Sequence, residues 1–529
     1  MNMEVVKEIL KVIGIIVLIY LFKAVHKIIY IAYFGPLSKL PGPKLFFLSR
    51  LFISFQQFTG KRWEFIQFKI IPKYGRIVRL GPELVLIADK DLIKDMVVTS
   101  EFPKSRNYLR IRADSSSETL FSTIDKKFHK QRRRTLSPAF SIKYMSSLEP
   151  LMETCIKDLI IKVDELINND NYDNKEKFDD DSNDDRSNAN TAATFNILRL
   201  VQSCAIDIIG ETSFGGKFDG IKTVNHPLPG KVWLELRRRI LRSMLPLLKP
   251  FFRMDPYLKE ASNKSKDIDD GYYDGENGAL LKHEQLKGLP YLNAVIHETM
   301  RLWPVVLDGG IGRAPTEDII VKGYLIPKDT NLMINYYTLH HDPEYWGADV
   351  ENFIPERWFD IDKLPKDSFY PFSAGARNCI GQNFAMMEMR LIIGSLIYKY
   401  DIENLPNQNI DIVHYFTPTL RDQCYQLKFR KQSVQHKNGV DAEALFEKFK
   451  TFTTDTPCEP DNVACIDGNF AKCHETLDND GNVVNTWAIS QCAEGTNCYP
   501  LPLVFSRGVS LVCDTREDFD RRIKEALAS

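Results

Sequence analysis

Residues 372–381 read Phe-Ser-Ala-Gly-Ala-Arg-Asn-Cys-Ile-Gly and lead into an apolar stretch that begins near Gln382. A cysteine just before a helix N-terminus lies at the positive end of the helix dipole, which favours the thiolate form that binds iron. Gly375 and Gly381 permit sharp turns and close approach to a flat macrocycle, while Phe372 can shield the sulfur. A buried structural cysteine is the ordinary alternative for a lone Cys. Five characteristic positions within ten residues favour Cys379 as a metal ligand instead.

This loop resembles the iron-ligand loop of the cytochrome P450 family, and other motifs of that family follow in the expected order. Glu298-Thr-Met-Arg301 is similar to the family's Glu-x-x-Arg motif, and Pro355-Glu-Arg357-Trp is similar to its Pro-Glu-Arg-Phe segment. The resemblance implies a structural cluster of Glu298, Arg301 and Arg357 that fixes geometry near the ligand loop more than it adds net stability. An isolated Glu-x-x-Arg is usually a solvated helix face, but this one lies about 80 residues before Cys379.

The resemblance also implies a set of haem contacts outside the loop. Residues 129–140, "HKQRRRTLSPAF", look like the family's C helix, where an aromatic residue or His and an Arg four positions later face the haem propionates. Arg313 matches a further family position that pairs with a propionate. Two carboxylates need several guanidinium donors, which the fork of an arginine supplies. The predicted haem-binding residues are therefore Phe372, Gly375, Arg377, Cys379, Gly381, His129, Arg133 and Arg313.

The family resemblance covers about residues 36–432 and sets the expected fold and activity. It implies a mainly α fold with a small β-sheet, haem b as cofactor, and electrons delivered from NADPH by cytochrome P450 reductase. The implied reaction inserts one oxygen atom of O2 into an apolar organic substrate such as a lipid, a sterol or a xenobiotic, with Cys379 as the catalytic iron ligand. Rearrangement of an oxidised lipid by a haem-thiolate isomerase or dehydratase is the enzymatic alternative.

One motif of the family is missing. No Ala-Gly-x-Asp/Glu-Thr-Thr segment occurs anywhere in the chain, although in the family this segment lies on the long I helix and relays protons to bound oxygen. Between the helix predicted to end near Leu248 and the helix of Glu298 there is only a polar stretch with several glycines. The sequence therefore predicts a deletion between residues 249 and 289, from a mis-predicted exon boundary or a degenerate copy.

The N-terminal 35 residues carry an apolar run from Val12 to Phe22 that Ile9, Leu10 and the snorkelling Lys11 and Lys23 extend. A helix needs roughly 20 residues to cross the hydrocarbon core, so this segment predicts a membrane anchor, with a cleaved signal peptide as the rival. The following lysines favour a cytosolic body at the endoplasmic reticulum membrane. A net charge of -1 gives no whole-chain argument for a nucleic-acid partner.

Six of the ten cysteines lie between residues 458 and 513, which predicts a small disulfide-rich module at 457–529 after a linker at 433–456. The disulfide candidates are Cys458, Cys465, Cys473, Cys492, Cys498 and Cys513, and sequence cannot choose among their fifteen pairings. The segment resembles a fungal chitin-binding carbohydrate-binding module of family 19. Trp487 and Tyr499 are candidates for stacking on sugar rings, or else fill a small core between the disulfides.

The two halves of the chain predict different compartments. Reduced haem-thiolate chemistry suits the cytosol, three disulfides suit a secretory compartment, and no apolar span separates Gln432 from Cys458. The hypothesis that follows is that two neighbouring genes were joined. In that case the chain has no catalysis and functions only as a chitin-binding protein. A polar tract at 168–190 ("NNDNYDNKEKFDDDSNDDRSNAN") is predicted to be an acidic surface insert in the haem domain.

Overall fold

The computed structural model describes residues 3–110, 112, 118–175, 192–223, 281–307, 312–415, 417–432, 434–477, 483–503 and 509–528. The chain divides into two compact units, one formed by residues 1–169, 194–398 and 404–428 and the other by residues 170–193, 399–403 and 429–529. The predicted insert, beyond the end of a helix at Lys175, lies outside the described residues. The same holds for residues 224–280, where most of the predicted deletion falls.

Helices dominate the chain up to residue 399. They are α1 (Met3–Tyr33), α2 (Leu51–Phe58), α3 (Arg62–Phe65), α4 (Ile71–Tyr74), α5 (Lys90–Lys94), α6 (Asn107–Arg110), α7 (Lys126–Leu136), α8 (Ile142–Lys175), α9 (Ile197–Phe214), α10 (Gly220–Thr223), α11 (His283–Lys287), α12 (Pro290–Leu302), α13 (Tyr336–His340), α14 (Pro343–Trp346) and α15 (Gln382–Lys399). The strands of the same stretch are short: β1 (Ile77–Gly81), β2 (Leu84–Ile87), β3 (Ala192–Asn196), β4 (Ile319–Val321), β5 (Tyr324–Ile326) and β6 (Asn331–Ile334). The predicted mainly α fold with small sheets is confirmed.

Alternating apolar residues on both sides of Gly81-Pro82 are typical of a β-hairpin, and here they form β1 and β2, which pair antiparallel; β6 joins β2 in parallel. Both faces of β2 are buried, because Val85 and Ile87 pack in one apolar cluster and Leu84 and Leu86 in another. The first cluster includes Ile93 and Met96 of the helical segment that follows β2. This packing positions residues 90–99 beside the loop that carries Cys379.

The remaining strands and helices follow α15. They are β7 (Tyr400–Asn404), β8 (Ile412–His414), β9 (Pro418–Leu420), β10 (Gln426–Lys431), α16 (Val434–Phe449), β11 (Val463–Ile466), β12 (Asn469–Leu477), β13 (Val483–Ser490), β14 (Asn497–Pro502), β15 (Val509–Asp514) and α17 (Arg516–Ala528). Strands β11, β12 and β13 form an antiparallel sheet, and β14 pairs with β15.

The six clustered cysteines form three disulfides, so the predicted disulfide-rich module is confirmed. The pairs are Cys458–Cys473, Cys465–Cys498 and Cys492–Cys513.

The segment expected to be a linker forms α16 instead. Ala442 and Phe446 on one face of α16 pack against Tyr499 of β14 and Phe519 of α17. The apolar face of an amphipathic helix packs against another element, and here the cysteine module covers that face of α16. Structurally the module therefore begins with α16 and not at Pro457.

Helix α1 contains a stretch, Lys11–Tyr33, that is long and apolar enough to cross a membrane. Residues 11–30 of it are exposed, whereas Ala32 near its C-terminal end is buried. Length and composition are thus consistent with the predicted anchor.

Candidate functional site

Cys379 lies in a tight loop immediately before α15. Its backbone N–H donates to the carbonyl of Phe372 at 2.8 Å, and residues Gly375–Arg377 form one 3-10 turn between them. Cys379 is a free and exposed thiol, three residues ahead of the 18-residue helix that begins at Gln382. Cys379 therefore lies at the N-terminal end of that helix.

The loop is held against residues 95–101 by contacts that only glycine allows. Gly375 has φ +68°, and a Cβ atom there would lie 1.8 Å from the carbonyl oxygen of Val97. The next N–H, that of Ala376, donates to a carboxylate oxygen of Glu101 at 2.9 Å. Gly381 differs, since a Cβ atom there would meet nothing nearer than 4.0 Å. The protein itself therefore does not require glycine at 381, because a Cβ atom there would make only ordinary contacts, with Cys379 Sγ and the Phe140 ring.

Helix α7 places its basic side chains on the same loop. The carboxylate of Asp125 caps the helix by accepting from the Phe128 N–H at 2.8 Å. One helical turn further, Arg133 donates from Nη1 to the carbonyl of Asn378 at 2.6 Å and from Nη2 to the Asn378 side-chain oxygen. Its guanidinium is thus engaged by the cysteine loop, and His129 is buried beside it.

Arg377 and Arg313 are brought together from distant parts of the chain. Arg377 Nη1 donates to the carbonyl of Thr123 at 3.1 Å, while Arg313 bridges the backbones of Lys104 and Leu332. Burial, and then the nearby Arg313, lower the pKa of Arg377 to about 10, so it stays charged at neutral pH.

Lys104 is a further cation of this cluster that sequence reasoning missed. Its Nζ donates to the carbonyl of Phe121 at 2.6 Å. Burial, and then Arg313 and Arg377, lower its pKa to about 7. Nothing in the local sequence, "EFPKSRN", marks this lysine, because only the fold brings it to the two arginines.

His129 is neutral at physiological pH, since burial, and then Arg377 and Lys104, lower its pKa to about 4. In the part of the chain that the structure describes, none of Lys104, His129, Arg313 and Arg377 forms an ion pair with a carboxylate. Arg313 Nη1 is buried there without a hydrogen-bond partner. A buried guanidinium nitrogen without a partner is costly unless an acceptor such as an anion joins it.

A cavity of about 570 Å³ opens on this cluster, lined by His129, Arg133, Arg313 and Arg377 together with the apolar Val97 and Phe102. The orphaned guanidinium nitrogen and the excess of positive charge suit carboxylates, and the apolar side chains suit the edge of a flat ring. The residues present therefore fit a haem whose propionates lie at this cluster.

The predicted ionic cluster is assembled, and its first two members are fully buried. Arg301 donates from Nε and Nη2 to the two carboxylate oxygens of Glu298 at 2.9 and 2.8 Å, in a bidentate pair. Its remaining donors bind the carbonyls of His340 at 2.9 Å and Asn352 at 3.2 Å. Every nitrogen of this guanidinium thus has an acceptor, as a buried charge requires.

Glu298 is held from the other side by the segment that follows residue 353. The N–H of Ile354 and the indole Nε1 of Trp358 each donate to it at 3.0 Å, and Arg357 Nε lies 3.5 Å from Oε1. Burial alone raises the pKa of Glu298, but the bonds from Arg301, Ile354 and Trp358 outweigh it and hold the pKa below its usual value. The cluster joins α12 to the segment that leads to the cysteine loop.

In the second unit the two candidate sugar-binding aromatics are packed inward. Tyr499 is buried and its ring stacks on Phe519 at 4.9 Å between centroids. Trp487 is half-buried, and its indole N–H donates to the carbonyl of Thr456 at 2.7 Å. Tyr499 therefore belongs to the small core of the module, and its ring is not available to stack on a sugar.

A family description, Cytochrome P450, matches residues 275–429. The chain is similar to cytochrome P450 monooxygenase acrD of Aspergillus aculeatus, with 30% identity over 479 residues that take in 74% of this chain and 90% of the relative. It is 29% identical to cytochrome P450 monooxygenase LUC2 of Fusarium sp over 478 residues, covering 75% of this chain and 90% of the relative. With cytochrome P450 monooxygenase FUS8 of Gibberella moniliformis the identity is 27% over 481 residues, covering 75% and 89%.

The alignments span more positions than the number of residues of this chain that they include. The alignment with acrD spans 479 positions but includes only 74% of this chain, which is about 390 of its 529 residues. The relatives therefore hold internal segments with no counterpart here.

Proposed function

The chain belongs to the cytochrome P450 family, and from this premise we propose that it is a membrane-anchored haem-thiolate monooxygenase acting on an apolar organic substrate. The lipid, sterol or xenobiotic nature of that substrate, and NADPH with cytochrome P450 reductase as the electron source, are parts of the proposal that follow from the family. The observation that carries it is the exposed thiol of Cys379 at the N-terminus of α15, on a loop whose Arg377 lies beside Arg313 and Lys104, cations with no carboxylate partner among the described residues.

Haem b, once bound, supplies the oxygen chemistry. Cys379 would hold the haem iron through its sulfur, from its place at the N-terminal end of α15. Arg313, Arg377 and Lys104 would bind the propionates, with His129 beside them as a neutral hydrogen-bond donor. Arg133 would act indirectly: it binds the backbone of Asn378 and so fixes the shape of the loop.

Phe372 and Gly381 complete the proposed haem contacts. Phe372 lies in the loop with its carbonyl bonded to the Cys379 N–H, and an aromatic ring there can keep water from the sulfur. Gly381, which has no side chain, would let the macrocycle approach the backbone closely. Glu298, Arg301 and Arg357 would keep the polypeptide behind the loop rigid.

This chain differs from the family on the oxygen-binding side of the site. No family proton-relay segment occurs in the sequence, and we place the missing internal segment between residues 249 and 289. The lengths of the alignments, which exceed the number of residues of this chain that they include, support a missing internal segment. A haem-thiolate isomerase or dehydratase of oxidised lipids needs no such relay, and is the alternative that peroxide-driven turnover without reductase would favour.

The proposed location is the endoplasmic reticulum membrane, with α1 as anchor and a cytosolic haem domain. The apolar span Lys11–Tyr33 and the basic residues after it support this. Three disulfides favour an oxidising compartment instead. Long-read transcript sequencing across 431–457 and 249–289 tests whether two genes were joined, and a continuous message without coding sequence for the missing helix contradicts that hypothesis.

For the cysteine module, chitin binding remains a proposal that rests on sequence resemblance. Since Tyr499 belongs to the core, a sugar platform would have to use other side chains. Pull-down on chitin by a full chain that incorporates no haem would favour the alternative that the chain acts only as a binding protein.

The absorption spectrum of the reduced, CO-bound protein tests the haem-thiolate proposal directly. We expect the red-shifted band of thiolate ligation in the unaltered chain and in Cys424→Ala, which removes a different free cysteine. Cys379→Ala should lose the band. An unaltered chain that binds haem but lacks the band contradicts the proposal.

A further inference from the structure

A second cavity of the first unit, of about 430 Å³, lies between α8, α11, α12 and α15. Each of these helices supplies lining residues, as does the loop ahead of the iron ligand, and they include Met145, His283, Met300, Met386 and Phe372. The cavity shares no lining residue with the cavity of about 570 Å³ at the cation cluster. Its volume is within the range of pockets that hold small molecules.

Hydrogen bonds fix the frame of this cavity as well as packing. Lys282 Nζ donates to both carboxylate oxygens of Glu153 at 2.6 and 2.7 Å, and the backbone N–H of His283 donates to Glu149 Oε1 at 2.7 Å. These bonds join α11 to α8. The His283 side chain is held between the two helices and is only 8% exposed. The walls of the cavity are therefore positioned by the fold.

One side of the cavity is apolar and polarisable. Met300 and Met386 belong to a buried cluster against which Phe369 and Phe372 pack. Met145, which is also buried, adds a third thioether to the lining. Thioether sulfur and the edges of phenyl rings both make favourable contacts with an aromatic ring. This side of the cavity therefore suits a flat aromatic group.

Arg390 of α15 is the charged group that distinguishes this cavity. Its Nε donates to the side-chain oxygen of Asn293 at 2.8 Å, and Asn293 in turn donates to the carbonyls of Leu289 and Lys287 at 2.6 and 3.0 Å. The guanidinium thus has a defined orientation. In the part of the chain that the structure describes, its two terminal nitrogens have no acceptor and no carboxylate pairs with it. A planar pair of N–H donors held in this way matches a carboxylate.

The other titratable groups of the cavity do not offset the charge of Arg390. Burial, and then Arg390, lower the pKa values of His283 and His297, so both imidazoles are neutral at physiological pH. Among the described lining residues Glu284 is the only carboxylate, and it lies at the rim, 71% exposed and 3.7 Å from Lys287 Nζ. The cavity therefore carries a net positive charge beside an apolar wall, which favours an anion.

We propose that this cavity binds a small aromatic carboxylate, with its ring against the methionines and Phe372 and its carboxylate on the terminal nitrogens of Arg390. The inference goes beyond the proposed function, because the site requires no haem. An occupant would nevertheless touch the chain that holds the iron ligand. Phe372 lines the cavity, and its carbonyl accepts the N–H of Cys379.

Photolabelling of the full chain with 4-azidobenzoate tests this site. The matched probe is 4-azidobenzamide, which has the same ring and the same reactive group but no charge. Peptide mapping by mass spectrometry locates the adducts. Because the amide cannot form the charged pair with Arg390, we expect the carboxylate to label residues 142–146, 297–300, 369–373 or 382–387 about tenfold more than the amide does. Equal labelling of these segments by the two probes, or carboxylate adducts confined to other parts of the chain, overturn the inference.

Arg390→Gln tests the role of the guanidinium, because it removes the charge and the pair of donors but leaves a side chain that can bond to Asn293. We expect labelling by the carboxylate to fall to the level of the amide. Arg199→Gln, at an exposed arginine of α9, is the matched control and should label as the unaltered chain does. Undiminished labelling in Arg390→Gln overturns the inference. Should this variant not fold, the comparison of the two probes on the unaltered chain still decides.

The reduced, CO-bound spectrum of the same sample reports on the haem site and separates the two proposals. A chain that shows the thiolate band, yet is labelled equally by the two probes, overturns only the carboxylate site. A chain that binds haem without the band, yet is labelled in the cavity by the carboxylate and not by the amide, supports the carboxylate site and contradicts the proposed function.

Discussion

Arg133 of α7 binds both oxygens of Asn378, the residue immediately before Cys379. The carbonyl contact is 2.6 Å, and the second nitrogen of the same guanidinium donates to the side-chain oxygen. A planar two-point contact of this kind defines orientation as well as distance. The helix that carries His129 and the loop that carries the proposed iron ligand are therefore one rigid element.

Replacement of Arg133 should loosen the cysteine loop. In Arg133→Gln we expect a smaller fraction of the reduced, CO-bound protein to show the thiolate band, and faster loss of haem to an apoprotein acceptor. Arg134→Gln, at an exposed neighbour on the same helix, is the control and should behave as the unaltered protein. Equal haem loss in the two variants would mean that Arg133 does not position the loop.

Breaking the buried pair of Arg301 and Glu298 should destabilise the first unit strongly. Arg301→Ala removes the bidentate partner of a carboxylate with no exposed surface, so we expect a loss of about 3–5 kcal/mol in the free energy of unfolding. Arg106→Ala breaks an exposed ion pair with Asp329 and should cost less than about 1 kcal/mol. Urea unfolding followed by circular dichroism measures both, and similar losses would contradict the structural role of the cluster.

Gly375 and Gly381 should respond differently to alanine. Gly375→Ala adds a positive-φ strain of about 1–3 kcal/mol to a steric conflict with Val97, so the haem-free protein should lose stability. Gly381→Ala places its Cβ no nearer than 4.0 Å to Cys379 Sγ and the Phe140 ring, an ordinary contact distance, and should leave the haem-free protein unchanged. Its haem affinity should fall if the macrocycle occupies the space beside it. Retention of full haem affinity in Gly381→Ala would contradict that placement.

Lys104 should make the stability of the haem-free protein depend on pH. Its pKa is about 7 in the fold, against 10.5 as the ordinary value, so between these pH values the unfolded chain holds more protons. Stability should therefore rise with pH across this window, by up to about 1.4 kcal/mol per pH unit, with the penalty of the buried charge fully present below pH 7.

Lys104→Met removes the titrating group, so we expect higher stability than the unaltered protein below pH 7 and a flatter profile from pH 7 to 10.5. Lys328→Met, at an exposed lysine, should change neither. With propionates bound near Lys104, its charged form should be favoured, so haem affinity should weaken as pH rises above 7. Haem affinity that is independent of pH would argue against this contact.

Tyr499→Ala separates a core role from a sugar-binding role in the cysteine module. Because the ring stacks between Phe446 and Phe519, we expect the module to lose about 3–5 kcal/mol of stability, with an unchanged haem spectrum. Differential scanning calorimetry reports the first and absorption the second. Loss of chitin retention without loss of stability would instead favour stacking on sugar.

Much of the fold was predictable from local pattern. The β1–β2 hairpin followed from alternating apolar residues around Gly81-Pro82, and α12 and α15 followed from helical periodicity. The exception was the expected linker, since the apolar face of α16 has no partner nearby in sequence. Its partners, Tyr499 and Phe519, come more than 50 residues later.

By itself the sequence determined the family, the ligand loop and the number of disulfides, because each depends on residue types at short fixed spacing. Only the tertiary structure decided which cysteines pair, that Lys104 joins Arg313 and Arg377, that Arg133 binds the loop, and that Tyr499 is buried. These features depend on contacts between residues far apart in the chain, and the free energy that selects them comes from packing and desolvation of the whole unit. Local sequence patterns carry no information on that total free energy.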